Sequence, residues 1–296
     1  MPARTSPDEI RARLLGPVAS IPTPFAGDGA IHWDGVAQII ETAIAGGSGV
    51  VLLTVGDSQF FFMTEEEIAA LTRFVIARTA GRALTVAATG PWATRQAVPF
   101  AACCREWGAD VVMSLAPAMM TAGQGLVAHY RALAAIMPVM IVGAPEMGVV
   151  NQLVDEPNIC CFKEDGSEAY AIALLQQHGR TWQVMTGGGL YRHLFQWPFG
   201  ARAFMDWSTS FAPQVGRHYW NALQTGDLTE AERITREIEK PLFDLCAQGL
   251  DWQALWRTLL ELNGIAPRHL RGPMPTLDDA AVERLQPVLH ELGLCP

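Results

Sequence analysis

Eight short runs of β-branched and other apolar residues, each followed by a longer segment with helical periodicity, constrain the fold of this chain more than any other feature. The runs are Pro17 to Ile21, Val50 to Thr54, Leu84 to Ala88, Val111 to Leu115, Val139 to Val142, Ile159 to Lys163, Trp182 to Thr186 and Ala203 to Asp206. Each is nearly continuous in apolar character rather than alternating, the pattern of strands covered on both faces, as in parallel sheets. A helix after every strand makes the pairing parallel, and eight such units close into a (β/α)8 barrel of the TIM type. Between the runs, Thr64 and Glu67 form a capping-box pattern ahead of an apolar helical face. From Thr229 to Leu294 the pattern becomes helix after helix. The expected organisation is therefore a catalytic barrel over residues 1–225 and a C-terminal helical extension over 226–296, with Glu232 to Glu239 on a solvated face and no chemistry of its own.

Composition narrows the partners. With 50% apolar and 17% charged residues, a chain of 296 residues can bury a large core. Its net charge of −9, with scattered Lys and Arg, argues against nucleic-acid and anionic-membrane surfaces and leaves a small molecule as the expected partner. No apolar run reaches the roughly 18 to 20 residues of a membrane span, and MPARTSPDEIRARLL lacks the apolar segment of a signal peptide, so a cytoplasmic location is expected. The six cysteines (Cys103, Cys104, Cys160, Cys161, Cys246, Cys295) have neither zinc-ligand nor disulfide-framework spacing and read as reduced core thiols. The seven histidines form no metal-binding pattern, and neither a metal nor another cofactor is expected.

Of 21 basic residues only Lys163 and Lys240 are lysines, so the chain otherwise uses arginine for its cations. Lys240 belongs to the charged segment Glu237-Ile238-Glu239-Lys240 and reads as a surface residue. Lys163 ends the apolar run Ile159-Cys160-Cys161-Phe162, which places it at the barrel mouth. Burial disfavours a lysine's charged form, and the free amine that results can attack a carbonyl as arginine cannot. The iminium formed withdraws electrons from the neighbouring carbon, which allows carbon–carbon bond cleavage or formation, or loss of a β-hydroxyl. Set against this is a strand-terminal lysine reaching to solvent. Strand alternation turns Asp165 to the same side as Lys163 and Glu164 to the other. Asp165 is then either the acid/base or a cap for the helix from Ser167, and the sequence leaves both open.

Thr54, with the amides of Val55 and Gly56, ends a strand where a substrate carboxylate can be held, or forms a plain turn. Asp57 would repel that carboxylate and suits a substrate hydroxyl; Ser58 completes the loop. Phe60 to Phe62 read as core more than as pocket wall. Gly187, Gly188 and Gly189 form a turn after the seventh strand that suits carboxylate better than phosphate, Arg192 being the only basic neighbour. Asp206 ends the eighth strand either in reach of the site or as a helix cap.

In order and spacing, these segments resemble the dihydrodipicolinate synthase and N-acetylneuraminate lyase family of Schiff-base aldolases over nearly the whole chain. Gly16 to Phe25 is similar to the family's first strand. Thr54-Val55-Gly56-Asp57-Ser58 stands at its carboxylate-binding loop, Gly125 to Tyr130 at the helix before its fifth strand, Phe162-Lys163-Glu164 at its imine-forming lysine, and Gly187-Gly188-Gly189 at its glycine turn. Members that make dihydrodipicolinate carry Tyr-Asn-x-Pro with a relay tyrosine, and an arginine soon after. This chain reads Val142-Gly143-Ala144-Pro145-Glu146-Met147, and the tyrosine beside the fourth strand is replaced within Pro117-Ala118-Met119-Met120.

Asp57-Ser58-Gln59-Phe60-Phe61-Phe62, the tyrosine-free Ala-Pro segment and the acid at 165 resemble the branch that dehydrates 2-oxo-3-deoxy sugar acids. The resemblance implies a cofactor-free class I lyase using Lys163 and Asp165, most simply a dehydratase or retro-aldolase of a 2-oxo-3-deoxy sugar acid, assembled as a homotetramer or dimer. The alternatives are a pyruvate-dependent aldolase or synthase, and a 2-oxo-acid sensor without turnover.

Overall fold

The computed structural model describes residues 5–117 and 120–296. Of the segment expected to replace a tyrosine, Ala118 and Met119 lie outside the described residues, as do the first four residues of the N-terminal stretch.

Eight parallel strands close into a barrel in chain order, β1 pairing with both β2 and β8. They are β1 (Gly16–Ser20), β2 (Val50–Leu52), β3 (Leu84–Ala88), β4 (Val111–Leu115), β5 (Val139–Gly143), β6 (Ile159–Glu164), β7 (Gln183–Thr186) and β8 (Ala203–Asp206). Helix α1 (Pro7–Arg13) precedes the barrel. Helices α2 (Trp33–Ala45), α3 (Glu65–Thr79), α4 (Thr94–Trp107), α5 (Gln124–Ala134), α6 (Met147–Val150), α7 (Glu168–His178), α8 (Leu190–Gln196) and α9 (Pro213–Thr225) follow the successive strands. Buried Val, Ile, Leu and Ala fill both faces of the strands, as the continuous apolar runs require. The capping box at Thr64 and Glu67 is formed, each side chain meeting the other residue's backbone N–H.

The extension comprises α10 (Leu228–Ile234), a π-helical turn over Thr235–Glu239, α11 (Lys240–Ala247), α12 (Trp252–Leu262) and α13 (Asp279–Glu291). Two of its features bear on how it meets the barrel. Glu239 is buried rather than solvated, because the wider π turn rotates it inward, where its carboxylate accepts from the N–H groups of Leu190 and Tyr191 at the start of α8 and from Trp207 Nε1. Burial pushes that carboxyl up to about 7 against the pull of its three donors. Second, Gln253 to Leu260 of α12 are all buried, so this helix is an inner layer packed against the barrel mouth. Among the described residues, no helix is long and apolar enough to cross a membrane.

Candidate active site

Strand register assembles the floor of a cavity at the C-terminal ends of the strands. Leu115 pairs with Val142 and Val142 with Lys163, so the three stand side by side in one inward-facing row. Met113, two residues before Leu115, and Met205 on β8 face the same space. The cavity, about 270 Å³, is lined by these five together with Thr54, Val55, Gly56, Asp57, Phe61, Asp165 and Trp252. Val142 stands where the resemblance places a relay tyrosine, so that position of the wall is apolar.

Lys163 is 6% exposed, and its ammonium lies 2.5 and 2.6 Å from the two oxygens of Asp165. The amine expected to be free on burial is thus ion-paired. Strand alternation holds: Glu164 points to the opposite side and is fully buried. There it accepts two hydrogen bonds from Arg192 Nη2 at 2.8 and 2.9 Å and one from Gln196 Nε2. Burial pushes the Glu164 carboxyl upward, and Arg192 beside it pulls the other way. Arg192 also binds Glu168 and the carbonyls of Gly166 and Gly187, so the one basic side chain near the glycine turn is committed to holding the β6 and β7 loops together. The capping alternative for Asp165 is settled by Ser167, whose hydroxyl accepts from Tyr170 N at the start of α7. Asp165 therefore has its carboxylate on Lys163 and partly open to the cavity.

The loop after β2 is a tight hydrogen-bonded knot. Asp57 N donates to Thr54 Oγ1 at 3.0 Å, Thr54 N to Ser58 Oγ, and Ser58 Oγ to Ile21 O at 2.7 Å. Since Thr54 Oγ1 accepts from Asp57 and has no acceptor for its own proton among the described residues, that proton is available to a ligand. The amides of Val55 and Gly56 likewise donate to no described residue. Three unpaired donors on residues at the cavity edge suit an anion such as a carboxylate.

Thr54, Val55, Gly56, Asp57, Lys163 and Asp165 are thus brought together. Ser58, Gly187, Gly188 and Asp206 are not on the cavity wall. Ser58 is the buried knot of the loop; Gly187 packs so closely on Asp165 that a Cβ there would overlap its carboxylate; and Gly188 packs on Arg192. Asp206 is held within its own loop instead. Its carboxylate is fully buried, accepting from Ser208 N and Oγ at 2.9 and 2.7 Å, with Oδ2 unpartnered and closely packed on Gly216.

Burial pushes Asp206 from 3.8 up to about 6, so the folded state holds its proton more tightly than the unfolded chain does. The protein should lose stability from this group as pH rises through that window. Asp206→Asn removes the buried charge. Its melting temperature relative to the parent should rise between about pH 4 and 6 and then level, a gain of at most about 3 kcal/mol. A difference that stays flat across this range in thermal scans would refute the assignment.

Sequence reading missed the apolar wall and the part played by the extension. Phe61 was read with its neighbours as core, yet in the 3-10 turn Phe60–Phe62 the three rings take different directions, and Phe61 is 65% exposed at the cavity rim. Trp252 faces the cavity from the first turn of α12, braced edge-on by Trp256.

With this geometry in view, comparisons with known proteins agree on one family. Residues 13–292 match the model of the dihydrodipicolinate synthetase family. A 4-hydroxy-tetrahydrodipicolinate synthase of Laribacter hongkongensis is 26% identical over 95% of this chain and 99% of its own. A protein of Streptomyces avermitilis named probable 5-dehydro-4-deoxyglucarate dehydratase 1 is 27% identical over 91% of this chain and 92% of its own. In fold, the crystal structure of dihydrodipicolinate synthase from Bacillus clausii superposes with a TM-score of 0.84 at 22% identity, covering 96% of this chain and 99% of that one. A barrel with a lysine at its mouth and a match across nearly the whole sequence lead to one conclusion: the chain belongs to the dihydrodipicolinate synthetase family of Schiff-base lyases and aldolases.

Proposed function

We propose that the protein is a class I lyase of 4-hydroxy-2-oxo acids, joining or separating pyruvate and an aldehyde at the C3–C4 bond. The observation that carries this is the buried Lys163 ammonium on the Asp165 carboxylate, facing a cavity also lined by Thr54, Val55 and Gly56, whose hydroxyl and two amides are unpaired among the described residues. The substrate carboxylate sits on this cradle of donors and its C2 carbonyl meets Lys163. Asp165 takes the ammonium proton, the amine adds to C2, and Asp165 gives that proton to the departing hydroxyl, which leaves as water to form the iminium and restores the Asp165 carboxylate. In the cleavage direction the carboxylate removes the C4 hydroxyl proton, the C3–C4 bond breaks, and its electron pair passes into the iminium as an enamine. Asp165 then returns the proton to C3, and water releases pyruvate.

Relatives named as synthases favour carbon–carbon chemistry. Relatives named as dehydratases favour a second reading, in which the same base removes a C3 proton and delivers it to the departing C4 hydroxyl, leaving the carbon chain whole. A 2-oxo-3-deoxy sugar acid is a 4-hydroxy-2-oxo acid and suits either course. The cavity wall adds a restriction. Lys163 is its only cation among the described residues, Asp57 and Asp165 are both acidic, and the remainder is largely apolar. A second carboxylate would have no counter-charge, so the tail beyond C4 is neutral, with Asp57 accepting from a tail hydroxyl.

Incubation with pyruvate and borohydride should add the mass of a reduced pyruvyl group to the peptide holding Lys163, and to no peptide of Lys163→Arg. An unlabelled Lys163 peptide would sink the proposal. Labelling without product from any 4-hydroxy-2-oxo acid over hours would mark a sensor. Mass analysis of products distinguishes two fragments from one dehydrated chain.

A further inference from the structure

The extension contributes a buried cation that the chemistry above does not use. Arg257 of α12 is fully buried, and its one hydrogen bond among the described residues runs from Nη2 to the carbonyl of Asp57 at 2.6 Å. Its Nε and Nη1 are buried without partners. One turn earlier, Gln253 Nε2 donates to the carbonyl of Gly56 at 3.0 Å. Helix α12 thus grips two consecutive carbonyls of the loop that presents Thr54, Val55 and Gly56 to the cavity. A buried guanidinium normally has a carboxylate on it, because desolvating an unpaired charge is costly. Here its bond is to a neutral oxygen, while Asp57 and Asp251 act on it through space alone. Burial draws it down to about 10, which leaves it charged at neutral pH.

We propose that Arg257 is a positioning residue for the substrate carboxylate: through the Asp57 carbonyl it fixes the cradle, and its charge behind the loop, bonded to no carboxylate, draws an anion onto the amides in front. No carboxylate of the protein is hydrogen-bonded to the guanidinium, and the carboxylate of the bound 2-oxo acid adds to the fields of Asp57 and Asp251 in stabilising it. Holding the Gly56 and Asp57 carbonyls from behind keeps the loop turned so that its free amides face the cavity. The buried charge also offsets Asp57, which would otherwise repel the same carboxylate. The inference rests on the reading that this loop receives the carboxylate while Lys163 forms the imine.

Its test compares pyruvate with its neutral methyl ester, both trapped on Lys163 by borohydride over a range of concentrations. In the parent, pyruvate should be captured at much lower concentration than the ester. In Arg257→Gln the concentration for half-labelling by pyruvate should rise by about tenfold or more, while that for the ester stays nearly unchanged. In turnover the loss should fall on KM rather than kcat. Arg257→Lys, which keeps the charge, should retain most of the preference. Where Arg257→Gln does not fold, the lysine variant decides alone. A buried lysine sheds its proton at lower pH than arginine, so the preference for pyruvate should fade between about pH 7 and 9.5 in that variant and not in the parent. Using the ratio of the two ligands cancels any change at Lys163 itself. Equal loss for both ligands, or an unchanged ratio, would overturn the inference and leave Arg257 as packing. No labelling of the parent by either ligand would instead remove the reading of Lys163.

Discussion

Replacing Lys163 with alanine should lower turnover by at least about a thousandfold while leaving the barrel folded. The size of the effect follows from the chemistry: without an imine the electrons of the C3–C4 bond have no acceptor, and among the described residues no other on the cavity wall has an amine. Folding should survive because the side chain ends at the cavity, where its partner Asp165 is already partly open and does not become a buried, unpaired charge when the ammonium is removed. Lys163→Arg sharpens the test. It keeps the cation beside Asp165, yet a guanidinium stays protonated and cannot add to a carbonyl. Both variants should be equally inactive and unlabelled by pyruvate and borohydride, with melting temperatures within a few degrees of the parent. Arginine restoring more than about a tenth of the activity would show that Lys163 acts through its charge, and the imine would have to be abandoned.

How far such assignments could be read in advance depended on how local their causes were. The bounds of β3, β4 and β8 coincide with apolar runs because each run stops where the chain turns. β2 stops at Leu52, two residues short of expectation: Leu53 N still bonds Val86 O of β3, but Thr54 turns out of the ladder, its N–H going to Ser58 Oγ in the loop that follows. Lys163 and Asp165 were legible as a pair because two-residue alternation in a strand is a local rule. Trp252, Gln253 and Arg257 lie about two hundred residues from the loop they touch, and only the packing of α12 across the barrel mouth brings them there. Glu239 was misread for another reason. Helical periodicity places it on a solvated face, but a π turn shifts the phase of the helix, and no residue in Thr235–Glu239 announces that turn. The substrate tail resisted reading for want of polar residues: a wall of Met113, Leu115, Val142 and Met205 has the same signature in sequence as any strand core.

Asp165→Asn should cost about a hundredfold to ten-thousandfold in turnover, the usual range for a general acid–base group. The amide is close to isosteric and can still sit against Lys163, so binding and position change little. What disappears is the capacity to take the ammonium proton, to take the hydroxyl proton and to return one to C3. Imine formation with pyruvate should slow yet still reach completion, whereas cleavage or dehydration should nearly stop. Position can be tested separately from chemistry through Gly187. A Cβ at this residue would fall on Asp165 Oδ1 and within 2.9 Å of the Glu164 carbonyl, so Gly187→Ala must displace the carboxylate while removing no titratable group. Its turnover should drop by about tenfold or more, with pyruvate trapping intact. If Asp165→Asn is inactive and Gly187→Ala fully active, the acid–base role tolerates displacement and a water bridges it to the substrate. If Asp165→Asn itself turns over normally, Asp165 serves only as the counter-ion of Lys163, and the proton must be moved by Thr54 or by the substrate's own groups.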